Sequence, residues 1–171
     1  RERERERMAA KTTGAGKVAV GALALDAVTT QGGNVAIGYA AATNLTTTGV
    51  TAIGYQAMAT STTGYDTVAV GQSVLTACTT GNQNTAVGFN SLATNTTGSN
   101  NTAVGNSALL VNTTGSSNVA IGVNALDANT TANSNVAVGT NAATANTTGT
   151  FNVALGDRAL KSNTTSNYQT A

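Results

Sequence analysis

Few side chains in this 171-residue sequence could do chemistry, and the most regular of them are asparagines. Asn-x-Thr triplets begin at Asn44, Asn95, Asn112, Asn129, Asn146 and Asn163, and those from Asn95 onward fall 17 residues apart. Where N-glycosylation operates, such triplets accept glycans, and this spacing would set them in a column. The plainer expectation for the same residues is a set of turns in a prokaryotic or viral fibre. Acid–base chemistry has little to draw on. There is no His, and outside residues 1–7 the only acids are Asp26, Asp66, Asp127 and Asp157, too scattered to form a general acid–base pair. Asp26 and Asp127 share a slot five residues after a glycine, but other copies of that slot lack an acid, as solvated turn residues would. The glycines come without a Walker lysine or a dinucleotide-binding βαβ unit, and without the Gly-Gly-x-Gly-x-Asp repeat of calcium-binding rolls. Cys78 is the sole cysteine, so no disulfide forms within the chain, and a small buried or loop residue is expected there. The sequence therefore predicts no enzyme, no cofactor and no metal site.

Charge narrows the partners. Residues 1–7 read RERERER and hold four Arg and three Glu, which leaves Lys11, Lys17, Arg158 and Lys161 against the four Asp. A body this sparsely charged has no basic stripe with which to displace counterions from nucleic acid, and no polybasic patch for an anionic membrane. No apolar run reaches the roughly 18 residues of a membrane span. The core-building side chains are thin as well, with no Trp, two Phe and four Tyr against 19 Gly.

The elements that position these residues follow from a repeat. The glycine of an Ala-aliphatic-Gly triplet recurs at Gly21, Gly38, Gly54, Gly71, Gly88, Gly105, Gly122, Gly139 and Gly156, always 17 residues apart except for one spacing of 16 between Gly38 and Gly54. The consensus is Asn-[Val/Thr]-Ala-[Val/Ile/Leu]-Gly-x-x-Ala-Leu-x-x-Asn-Thr-Thr-Gly-x-x. Seventeen residues hold short extended pieces and turns but not a helix with its connections. Two extended pieces per repeat are expected, Asn118–Gly122 and Ala125–Asp127 in one copy. Identical strands stacked at about 4.8 Å per coil make an all-β parallel solenoid of about nine coils, with Asn84, Asn101, Asn118, Asn135 and Asn152 forming one column and Asn95, Asn112, Asn129 and Asn146 another. Stacked amides of this kind bond as ladders.

Within the first strand, Val87, Val104, Ile121 and Val138 point to one face, and Ala86, Gly88, Ala103, Gly105, Ala120, Gly122, Ala137 and Gly139 to the other. Every copy keeps Ala and Gly on that second face, a sign of close oligomer or core packing, and one slim coil covers only one face of its strands, so the Ala/Gly face argues for partner chains, two of them. The slim apolar content per coil points to an obligate oligomer of this chain.

The Ala-Val-Gly-x-x-Ala triplets and Asn-rich turns resemble the head repeats of YadA-like trimeric autotransporter adhesins. The 17-residue form, Asn-Thr-Ala-Val-Gly through Asn-Thr-Thr-Gly-Ser-Asn, is similar to repeats of bacteriophage tail fibres and related surface fibres. The resemblance covers residues 17–171. It implies a left-handed β-roll, a three-fold homotrimer with coils intertwined or side by side, and an extracellular, cell-surface or virion location. The function expected from it is that of a shaft or adhesive head, with a cell-surface receptor or glycan as a further partner. Exposed loop positions such as Tyr39, Tyr55, Tyr65, Phe89 and Phe151 are the candidate contacts, the alternative for each being buried packing between neighbouring coils or protomers.

Two units are read, a charged segment 1–7 (a tag or an assembly segment) and a repeat domain 8–171 that breaks off mid-repeat, as a piece of a longer fibre would. Two rivals to the shaft remain. One is an extracellular filament whose units stack head to tail. The other is an ice-binding solenoid using columns such as Thr96-Thr97 and Thr113-Thr114, disfavoured because adjacent Thr in an extended chain point opposite ways.

Overall fold

The computed structural model describes residues 14–171, and the charged segment 1–7 lies outside them. Each coil contributes one short strand: β1 (Val18–Val20), β2 (Val35–Ile37), β3 (Val50–Ile53), β4 (Thr67–Val70), β5 (Thr85–Val87), β6 (Thr102–Val104), β7 (Val119–Ile121), β8 (Val136–Val138) and β9 (Val153–Leu155). They form a single parallel sheet in chain order. The pairing follows the sequence repeat, Ala103 opposite Ala120 and Ala120 opposite Ala137. At the short spacing the register absorbs the deletion, with Ala36 opposite Ala52. The chain is therefore a parallel β-solenoid, and no helix occurs among the described residues.

The second extended piece is not formed. Ala108-Leu109-Leu110 and Ala125-Leu126-Asp127 run as turns, with Ser107 at φ 57° and Leu109 at φ 52°, and Asn124 at φ 54° and Leu126 at φ 51°. A coil of 17 residues must come back to its starting point, and alternate left-handed residues bend the chain within a few positions. An L-residue in that conformation costs about 1–2 kcal/mol. Full burial of the leucine returns about 1.5–3 kcal/mol, enough to offset that residue's own conformational cost. Hydrogen bonds between coils persist through the bend, Leu92 N donating to Ala108 O and Leu109 N to Ala125 O, both at 3.0 Å.

The interior of each coil is narrow. The strand alanines (Ala86, Ala103, Ala120, Ala137) are fully buried and face a column of Met58, Leu75, Leu92, Leu109 and Leu126, also fully buried. Small residues are required opposite large ones if a close-packed interior is to fit inside one turn. The glycine that follows each strand answers to the next coil. Gly105 sits at φ 138°, and a Cβ there would run into the Gly122 carbonyl oxygen. The reading in which the Ala/Gly face waits for partner chains is thereby corrected, since the chain's own leucines cover the alanines and the neighbouring backbone crowds the glycines.

The remaining interior is polar. Asn112 Nδ2 donates to Asn95 Oδ1 at 2.9 Å and to Gly115 O at 2.9 Å, and Asn129 Nδ2 repeats the step to Asn112 Oδ1 at 2.8 Å. In the second column the side-chain oxygen accepts from the backbone, Asn118 N to Asn101 Oδ1 and Asn135 N to Asn118 Oδ1, each at 3.0 Å. Both ladders expected from the sequence are present, and they run inside the coil.

Candidate functional site

With Ala facing inward, the flanking strand residues face out. Val18, Val20, Ile37, Val68, Ile121, Val136, Val153 and Leu155 are all exposed, from 37% at Ile37 to 69% at Leu155. Val35, Ile53, Val70, Val87, Val104, Val119 and Val138 are half-buried in the same two columns. A parallel sheet normally has both faces covered, and here one face is covered only by its own coil. Adjacent Tyr39, Tyr55, Phe89 and Val123, each one residue past its strand glycine, are 44–48% exposed and widen the apolar strip. The outcome is a flat, ridged, nearly uncharged face along the nine-stranded sheet.

The Asn-x-Thr triplets divide sharply. Asn95, Asn112, Asn129 and Asn146 are fully buried, and Asn95 Nδ2 donates to Gly98 O at 2.9 Å as Asn146 Nδ2 does to Gly149 O. A glycan on any of them is incompatible with the folded coil, which corrects the glycan-column expectation at these four. Asn44 is exposed and Asn163 half-buried. A further triplet, Asn100-Asn101-Thr102, escaped the reading of the repeat because Asn100 stands outside both columns; it is exposed, at φ 60°.

The five aromatic candidates, Tyr39, Tyr55, Tyr65, Phe89 and Phe151, are all exposed. Tyr39 and Tyr55 stack with centroids 5.4 Å apart, and Phe151 stacks on Tyr168 at 5.2 Å. Each stack hides ring faces that a sugar would otherwise lie against. In the Thr-Thr pairs, Thr96 Oγ1 donates to Thr113 O and Thr113 Oγ1 to Thr130 O, both at 3.0 Å, while Thr97 and Thr114 are exposed. One hydroxyl of each pair is spent on the neighbouring coil.

Titratable groups are few and separate. Cys78 is buried, its Sγ 3.3 Å from Gly81 O, and burial pushes its thiol pKa up. Asp127 accepts from Thr144 Oγ1 in the next coil, and Asp157 lies 3.9 Å from Arg158 on the surface. Among the described residues no three His, Cys, Asp or Glu lie close enough to hold a metal ion. No helix there is long and apolar enough to cross a membrane. In comparisons with known protein families, curated proteins and solved structures, nothing matches this chain.

Proposed function

We propose that the chain is a structural or adhesive fibre segment, the shaft or head of a phage tail fibre or microbial surface adhesin, working outside the cell or on a virion. The observation that carries this reading is the outward Val/Ile face, which runs the length of the sheet and is backed by a rigid, hydrogen-bonded coil. Apolar patches above a few hundred Å² mark interaction surfaces. A second copy of this chain offers a face of matching strand spacing and no charge to desolvate, so the partner in this proposal is the chain itself. The likeness of the repeat to YadA-like heads and tail fibres favours three copies. Display of the aromatic residues and loops along such a rod suits adhesion to a receptor or glycan.

Sedimentation equilibrium of the native chain at several concentrations tests the proposal. A small oligomer of fixed size is expected. Monomer at all concentrations would sink the reading, and open-ended growth would replace the shaft by a filament of units stacked head to tail.

A further inference from the structure

Tyr39 and Tyr55 occupy the same slot in neighbouring coils, each one residue beyond its strand glycine, and are 47% and 48% exposed. Their rings are nearly parallel, with centroids 5.4 Å apart and planes inclined by 16°. The pairing of Ile37 with Ile53 in β2 and β3 holds them in place. This is also the one step of the solenoid in which the repeat is a residue short. We infer that Tyr39 and Tyr55 form an oxidative cross-linking site that ties these two coils together covalently.

The chemistry requires a one-electron oxidant, for which a haem peroxidase with hydrogen peroxide serves. Each phenol gives up one electron and its hydroxyl proton and becomes a phenoxyl radical. The two radicals join through a carbon–carbon bond between ring positions ortho to oxygen. The hydrogen on each joined carbon then moves to the adjacent ring oxygen and restores the phenols. The chain loses two electrons and two protons, and one hydrogen peroxide takes them up to give two waters. Exposure lets the oxidant in, and the fixed stack makes coupling within one chain unimolecular.

The molecule contains its own control. Phe151 and Tyr168 stack with the same geometry, centroids 5.2 Å apart and planes inclined by 5°, but only one of them is a phenol. Tyr65 is exposed as well, but the equivalent residue in the next coil is Asn82.

The test is to oxidise the folded chain at low concentration with peroxidase and hydrogen peroxide, then measure intact mass and map the peptides. Chains of unchanged length, lighter by two hydrogens, are expected, with the Tyr39 peptide joined to the Tyr55 peptide. Tyr39→Phe and Tyr55→Phe, which keep the stack, should each abolish that bond, and Phe151→Tyr should add a second internal bond to Tyr168. Absence of the Tyr39–Tyr55 bond in the native chain, or products joined only between chains, overturns the inference. Failure of Phe151→Tyr to add a bond overturns the claim that stacking directs the coupling.

Discussion

The same interior slot is filled in two ways along this rod. Seven residues after the strand glycine, the first four coils carry Val28, Leu45, Ser61 and Cys78, and the following coils carry Asn95, Asn112, Asn129 and Asn146. All eight are fully buried. A second slot is mixed in the first half, with Asn34, Val50 and Thr67 in turn, and uniformly Asn from Asn84 to Asn152. Strand order and the Ala-to-Ala register are kept through both halves, so the fold requires that the slot be filled but does not dictate how. Apolar residues contribute burial independently of one another. Amides bind each coil to its neighbours, and a change at one rung removes hydrogen bonds on both sides. The first half also leaves Thr43 Oγ1 and Thr76 Oγ1 buried without a hydrogen-bond partner. Cys78, where the two fillings meet, imitates an asparagine by pointing its sulfur at Gly81 O, as Asn95 points its amide at Gly98 O.

Breaking a rung should have the largest effect. Asn112→Leu removes the donor to Asn95 Oδ1 and one of the two acceptors of Asn129 Nδ2, which keeps Ala132 O. At about 1–3 kcal/mol for a buried group left unsatisfied, we expect a loss of roughly 2 kcal/mol in urea unfolding. Leucine is already native to this slot at Leu45, so a loss below about 1 kcal/mol would show that the ladder is a filling like any other.

Extending the ladder should do much less. Cys78→Asn places an amide directly below Asn95, whose Nδ2 donates to Gly98 O. Stability at neutral pH should stay within about 1 kcal/mol of native, with any change in the stabilising direction. The same variant also removes a titration. Burial raises the Cys78 pKa in the folded chain above its unfolded value, so the native fold keeps the thiol's contribution below the ordinary thiol pKa, about 8.5, and loses it as pH rises through the folded value. Thermal melts across the alkaline range should therefore fall more steeply for native protein than for Cys78→Asn. Parallel curves would contradict this.

The period, the strand positions and the Asn columns were legible in the sequence, because a stacked coil must present the same residue in the same place each time. The direction of the faces was not. Val-Ala-Val alternates equally well with either face inward, and a uniform Ala/Gly face suggests close approach without saying to what. Gly105 shows why, since its neighbour is the backbone of the next coil. The left-handed bends were hidden too. A leucine at φ 52° carries no composition signal, so Ala108-Leu109-Leu110 looked like a strand. Likewise Asn112-Thr113-Thr114 reads as a surface acceptor by its spelling but serves as an interior rung, while Asn100, outside the columns, lies on the surface.

The central claim is that copies of the chain meet through the outward strand face. Val104 and Ile121 lie side by side on that face, in paired strands, with side chains directed away from the core. The direct measurement is sedimentation equilibrium of the double variant Val104→Lys, Ile121→Lys beside the native chain, with circular dichroism to confirm that the sheet remains. The native chain should sediment as an oligomer and the folded variant as a monomer. An oligomer unchanged by the two lysines would contradict that claim.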